Sequence, residues 1–463
     1  MDFDIIIIGS GPGGYVAAIR AAQLGLKTAV VEKSELGGVC LNWGCIPTKS
    51  LMKSAQVLNY AKHAADYGIN VTDAKPDFQA VIKRSRDVAA RMSKGIEYLF
   101  KKNNITVLKG KAVVIGKNVV EVIASEGDKQ KYSAKHIVLA TGARSKELPN
   151  LQQDGKHIIG YREALSLDKL PESMIVVGSG AIGTELAYFY NSMGTKVRLV
   201  EFLPQVLPNE DIDVSKQIAR SLKKQKIKVM TEASVESVTV ENGKCKVDIK
   251  TKKGIETYEA ELVLSAVGIT ANTENLVQGT QQPEKEYGKI KTDEFYRTSV
   301  ENLYAIGDLT TGPALAHAAS AEGICCVEKI AGLKPEPIDY GNIPGGVYTD
   351  PEVASVGLTE AKAKEAGHEL KIGNFPFRAS GKATAAGASD GFVKLIYDKK
   401  TDKMLGAHLI GAGVTELIAE AVIARKLEGK LHQMITSIHP HPTMSEAIME
   451  AAAAANDEAI HLA

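Results

Sequence analysis

The sequence predicts an α/β chain: two Rossmann-like modules, each a doubly wound parallel sheet, followed by a C-terminal α+β domain. Three observations carry that expectation. A strand, a glycine turn, a helix and a second strand follow one another over residues 4–32; the same unit recurs over residues 174–201; and after Pro335-Glu336-Pro337 the pattern changes to alternating strands and then helices. A chain of 463 residues with 44% hydrophobic content is long enough for about three domains with separate cores.

In the first unit, residues 5–8 read as a buried strand, Gly9-Ser10-Gly11-Pro12-Gly13-Gly14 as the turn, 15–24 as the helix and 28–32 as the second strand. Gly9 permits the tight turn, Gly11 lets backbone approach a pyrophosphate, and Gly14 lets helix and strand pack closely. The helix N-terminus then faces the phosphates. Glu32, closing the second strand, is placed to hydrogen-bond an adenosine ribose. A glycine pattern alone can be a plain turn; the strand–helix–strand setting and the closing acid favour a dinucleotide site.

The second unit carries Gly178, Gly180 and Gly183, and Glu201 follows Gly183 at the spacing of Glu32 from Gly14. A chain with this unit twice is expected to bind two dinucleotides, the alternative being a duplicated scaffold with one silent site. A carboxylate at 201 accepts from a ribose 2′-hydroxyl and repels a 2′-phosphate, which favours NAD over NADP. The strand ends at 137–142 and 262–268 close the two modules, placing Thr141, Gly142 and Gly268 near the cofactors, with the glycines marking crossings between domains. Between lie a helical tract over about residues 50–102 and a hairpin pattern over 105–122, neither showing chemistry.

Chemistry concentrates at Gly37-Gly38-Val39-Cys40-Leu41-Asn42-Trp43-Gly44-Cys45-Ile46-Pro47-Thr48-Lys49. Cys40 and Cys45 can close a small ring, and at a helix start exposed N–H groups polarise the sulfurs, giving a working disulfide rather than a brace. A metal site would need further ligands just after Cys45 and finds Thr48; two unrelated buried thiols are the other alternative. Five cysteines in so long a chain form no secreted framework, and Cys245, Cys325 and Cys326 read as structural. Lys and Arg number 56 against 55 Asp and Glu, so no footprint points to nucleic acid or an acidic membrane. The chain enters its first strand at once and has no apolar run of membrane-spanning length, so a cytoplasmic protein is expected, or an organellar one whose leader was removed.

A second concentration is His439-Pro440-His441-Pro442-Thr443. A histidine can take the proton of an incoming thiol, and a carboxylate fixes its tautomer; Glu446 is the candidate partner. The competing reading makes Thr443-Met444-Ser445-Glu446 a capping box and His441 a surface loop residue.

The cysteine segment and His439-Pro440-His441-Pro442-Thr443-Met444-Ser445-Glu446, in order over essentially the whole chain, resemble the flavin-dependent pyridine nucleotide:disulfide oxidoreductases. The resemblance implies FAD at the first glycine unit, next to the reactive cysteines, and NAD at the second. It implies that Asp308, in Ala305-Ile306-Gly307-Asp308, contacts the FAD ribitol, where a lone reading would make it a helix cap; Ala316 and His317 join the same set. It pairs Lys49 with Glu185 beside the flavin, selects His441 over His439 as acid–base residue, and puts Glu446 behind it. The implied domains are 1–145 (FAD-binding), 146–270 (NAD-binding), 271–340 (central, completing the FAD site) and 341–463 (dimerisation).

The family further implies a homodimer in which the base comes from the second subunit. It also implies NAD-dependent oxidation of dihydrolipoamide borne on the acyltransferase core of a 2-oxoacid dehydrogenase complex. One departure follows Gly268, where Ile269-Thr270-Ala271-Asn272 replaces the family's Arg-Xaa-Pro-Asn and leaves that turn open. Glutathione reductase-like chemistry is disfavoured by Glu201, and mercuric reductase by the absence of a cysteine pair at 459–463. A flavin-containing interaction protein without turnover is the alternative from another class.

Overall fold

The computed structural model describes residues 1–279 and 282–462; Thr280 and Gln281 of the expected central domain, and the terminal Ala463, lie outside the described residues. The chain divides into two compact units, one of residues 1–51, 79–146 and 268–340, the other of 52–78, 147–267 and the chain from 341 onward. The expected class is observed, with two parallel sheets of Rossmann order and a C-terminal antiparallel sheet under helices.

In the first unit, strand Phe3–Ile8 lies at the centre of a parallel sheet, with Thr28–Glu32 and then Thr106–Lys109 on one side and Lys129–Leu139 and then Leu303–Ala305 on the other. Its isoleucines are buried on both faces, which is why the run is continuously apolar rather than alternating. Helix Pro12–Gln23 begins three residues before the expected start because Pro12 suits the first helical turn after the Gly11 N-cap. Leu303–Ala305, from late in the chain, completes this sheet beside Lys129–Leu139 and delivers Gly307-Asp308 to its C-terminal edge.

Two expectations are corrected here. The tract over residues 50–102 is two helices, Cys45–Lys62 and Phe78–Lys102, because Gly68, in a left-handed conformation after a short turn, and Pro76 interrupt it. The pattern over 105–122 is not one hairpin. Thr106–Lys109 joins the parallel sheet, the Gly110 N–H still donating to Glu32 O at 2.9 Å, and the hairpin proper is Lys111–Gly116 with Val119–Ile123.

The second unit holds the other parallel sheet, in the order Lys228–Met230, Lys196–Val200, Ser173–Val177, Leu262–Ser265 and Ile158–Ile159. A three-stranded antiparallel layer follows it, over residues 234–260. The C-terminal sheet has five antiparallel strands, and helices Val414–Lys426, Leu431–Thr436 and Glu446–Ala454 share its core around Phe375, Leu395, Tyr397 and Leu409. No helix among the described residues is long and apolar enough to cross a membrane.

Within this unit Lys394, only 2% exposed, reaches three carboxylates: Asp211 at 2.9 Å, Asp213 at 2.6 Å and Glu360 at 2.7 Å. Asp211 also caps helix Ile212–Lys224, so the lysine ties the second glycine module to the C-terminal sheet. Removing one member of a buried ion cluster strands the others without a counter-charge. Lys394→Met is expected to cost about 3–5 kcal/mol, read as a fall in the thermal midpoint of the full chain; an unchanged midpoint would contradict this.

Candidate active site

Helix Gly38–Trp43 stops at Gly44, and a new helix, Cys45–Lys62, begins with the second cysteine. That break sets Cys40 and Cys45 with Cα atoms 4.7 Å apart, and they form a disulfide. Cys45 thus occupies the first turn of an 18-residue helix, where unbonded N–H groups and the helix dipole favour negative charge on sulfur. The segment hangs from the first glycine loop, the Gly37 N–H donating to Ser10 O at 3.1 Å and to Ser10 Oγ at 3.2 Å.

Three further side chains hold the segment. Asn42 Nδ2 donates to Leu36 O (2.9 Å) and Gly38 O (3.0 Å). Arg86 donates to Asn42 O at 2.6 Å and lies over the Trp43 ring at 4.1 Å, while Ser93 Oγ donates to Asn42 Oδ1 at 2.8 Å. Arg86 and Ser93 sit on helix Phe78–Lys102, in the tract where the sequence showed no chemistry, and no local motif could have flagged them.

The two glycine loops repeat the same close backbone contacts. A Cβ on Gly14 would overlap the Gly9 carbonyl oxygen, and one on Gly183 would overlap that of Gly178, so each loop closes only without side chains there. At Gly11 and Gly180, the N-caps of the following helices, a Cβ would meet nothing within 4 Å. Open space before a helix N-terminus is what a pyrophosphate requires. The closing acids match as well. Glu32 accepts from Ser10 N (2.9 Å), Ser10 Oγ (2.7 Å) and Ser34 N (2.9 Å); Glu201 accepts from Ser179 N and Oγ (both 2.7 Å) and Leu203 N (2.8 Å). Both carboxylates are fixed as acceptors before any ribose arrives, and Glu201 is just 6% exposed. The residues present fit two dinucleotides.

Asp308 lies in the short turn Gly307–Leu309 and does not cap helix Ala316–Ile330, whose N-cap is Leu315. The capping alternative is thereby removed. Burial pushes the Asp308 carboxyl above its usual range, with Lys289 opposing. Ala316 and His317 open the helix that follows.

The open turn after Gly268 also has its geometry. Ile269–Ala271 pairs antiparallel with Ala143–Ser145, the Asn272 N–H donates to Gly142 O at 2.9 Å, and Thr141 Oγ1 donates to Asn272 O at 2.9 Å. Arg144, not the family's arginine, donates to Asn272 Oδ1 at 2.9 Å and pairs with Glu274. Lys49 belongs to the first unit; Glu185 belongs to the second, where it accepts from Tyr348 N at 3.0 Å.

At the C-terminal segment the expected capping box does not form, because helix Glu446–Ala454 starts at Glu446 itself with Ser445 as its N-cap. Glu446 Oε2 accepts from Thr443 N at 2.8 Å, and its Oε1 lies 2.9 Å from His441 Nδ1. The Thr443 N–H first, and then His441, hold its carboxyl below the ordinary range. His441 is 78% exposed, so its Nε2 is open to a reacting partner. His439 is only 8% exposed and fully engaged, Nδ1 with Ser437 O at 2.9 Å and Nε2 with Glu420 Oε1 at 2.7 Å.

The model of the pyridine nucleotide-disulphide oxidoreductases matches residues 3–323, and that of their dimerisation domain matches residues 343–452. A dihydrolipoyl dehydrogenase of Rhizobium etli is 48% identical, over 97% of each chain. One of Bacillus subtilis is 43% identical over 99% of each, and the mitochondrial one of Pisum sativum 41% identical over 99% of this chain and 92% of its own. Among solved structures, LpdA of Mycobacterium tuberculosis superposes with a TM-score of 0.90 at 27% identity, covering 97% of this chain and 98% of its own.

The other three thiols are buried, which disfavours their thiolates. Burial pushes Cys245 up to about 11 and raises Cys325 and Cys326 as well. At pH 8 a thiol of that kind is about one part in a thousand thiolate. Iodoacetamide labelling of Cys245 in the folded protein is expected to be slow at pH 8 and to quicken about tenfold per pH unit; fast labelling at pH 8 would contradict its placement.

Proposed function

The chain belongs to the pyridine nucleotide-disulphide oxidoreductase family, and from that premise we propose that it oxidises dihydrolipoamide with NAD⁺ through a Cys40–Cys45 disulfide that opens and recloses in every turnover. One observation carries this reading: the disulfide sits at a helix start suspended from the first dinucleotide loop, in a chain 41–48% identical to dihydrolipoyl dehydrogenases over nearly full length.

The chain uses FAD and NAD. Gly9, Gly11, Gly14, Glu32, Thr141, Gly142, Asp308, Ala316 and His317 would hold FAD; Gly178, Gly180, Gly183, Glu201 and Gly268 would hold NAD. Bound FAD supplies a two-electron carrier between the cysteine pair and NAD⁺. Every other part falls to this chain's own residues. His441, oriented by Glu446, takes the proton of one substrate thiol. The resulting thiolate attacks Cys40, the Cys40–Cys45 bond breaks, and Cys45 leaves as thiolate. The helix N-terminus favours that negative charge, and Lys49, one turn further along the same helix, adds a cation. The second substrate thiol then displaces Cys40, closing the substrate's ring, so that two electrons have passed to the cysteines.

The dimerisation domain supports a homodimer, and the exposure of His441 suits a base that acts on the second subunit's disulfide. The lipoyl domain of a 2-oxoacid dehydrogenase acyltransferase core is the proposed carrier of the substrate.

Cys45→Ser is expected to abolish NADH formation from dihydrolipoamide, and turnover within about tenfold of the parent enzyme would sink the disulfide relay. His441→Gln should lower kcat by about 10²–10⁴-fold, because the proton loses its acceptor. Glu201→Arg should shift preference from NAD⁺ toward NADP⁺, as measured by the ratio of the two kcat/KM values; an unmoved ratio refutes the ribose assignment.

A further inference from the structure

We infer that Glu322 is a positioning residue for the flavin site, its buried carboxylate fixing the Gly307-Asp308 turn and through it the Asp308 side chain. The inference rests on the reading of Asp308 as an FAD contact.

Glu322 lies in the middle of helix Ala316–Ile330 and is 0% exposed. A carboxylate so buried is costly unless its oxygens are taken up. Here Oε2 accepts from the Gly307 N–H at 2.6 Å, and Oε1 accepts from Tyr340 O–H at 2.8 Å. The Tyr340 hydroxyl meets that of Tyr296 at 3.0 Å. The group is closed: a Cβ on Gly312 would come within 2.9 Å of Glu322 Oε1 and 2.7 Å of the Tyr340 ring.

The choice of Gly307 as partner matters. Gly307 has φ of +71°, a left-handed bend that turns the chain out of strand Leu303–Ala305, and Asp308 is the next residue. The Ile306 N–H still bonds Leu139 O at 3.0 Å, so the Gly307 N–H is the first one beyond the sheet. Glu322 captures it and so sets the bend. Burial raises the Glu322 carboxyl, its hydrogen bonds from Gly307 and Tyr340 oppose that, and the nearby Asp308 charge adds to the rise. A glutamine can reproduce both bonds, accepting from Gly307 and donating to Tyr340, whereas alanine can make neither.

The test uses flavin-free full-length protein, titrated with FAD by flavin fluorescence, with its thermal midpoint measured alongside. Glu322→Ala is expected to raise the FAD dissociation constant about tenfold or more. Glu322→Gln should stay within about threefold of the parent. In an Asp308→Ala background, Glu322→Ala should add less than about threefold. If it adds its full factor there, Glu322 does not act through Asp308 and the inference is overturned. If Asp308→Ala alone leaves the constant unchanged, the reading of Asp308 fails instead. Should Glu322→Ala not fold, Tyr340→Phe frees one carboxylate oxygen and is expected to weaken FAD only when Asp308 is present; an equal effect without Asp308 overturns the inference.

Discussion

The helix breaks at Gly44, whose backbone (φ −148°, ψ −115°) lies outside helical geometry, and that interruption governs the cysteine site. Because one helix ends at Trp43 and another begins at Cys45, the two sulfurs face each other across a break rather than lying on different sides of one continuous helix. An unbroken helix would put residues five apart about 140° around its axis, out of reach of each other's sulfur. The break also gives Cys45 the N-terminal turn, the one place on a helix where a leaving thiolate is favoured. Asn42, Arg86 and Ser93 then hold the first helix in place, so the pair can open without the segment drifting.

Around that break the chain spends its symmetry on two different cofactors. Both glycine loops close over a carbonyl oxygen, both open outward at the helix N-cap, and both end in a glutamate already hydrogen-bonded to the serine between the glycines. The loops differ in their continuation. The first leads directly to the cysteine segment, and a distant strand joins its sheet and carries the chain on to Asp308; the second leads to Glu201, whose carboxylate is buried.

Much of this was legible because it is local. The glycine spacings, the terminal acids, the cysteine pair and the His441–Glu446 separation each lie within about thirty residues; local pattern marks the glycine units, while the choice of His441 over His439 came from the family resemblance. Capping and a partnership with His441 seemed rival readings of Glu446; the helix takes Ser445 as its N-cap, and the carboxylate meets His441 Nδ1 with one oxygen and Thr443 N with the other. The rest was not legible because it depends on pairing across the fold. Arg86 looked like any charged residue of an amphipathic helix until packing set it over Trp43. The strand at 106–109 looked like half of a hairpin because nothing in its own residues says that residues 28–32 are its neighbour. Glu322 carries no motif; its meaning comes from Gly307, fifteen residues earlier, and Tyr340, eighteen later.

In the proposed relay the substrate opens the bond between Cys40 and Cys45. The most direct measurement adds one equivalent of dihydrolipoamide per chain under anaerobic conditions, alkylates at once, and locates the label by peptide mass. The expected result is label on Cys40 and Cys45, with Cys245, Cys325 and Cys326 unmodified and one equivalent of lipoamide formed. Lipoamide formed while Cys40 and Cys45 remain joined and unlabelled would contradict it.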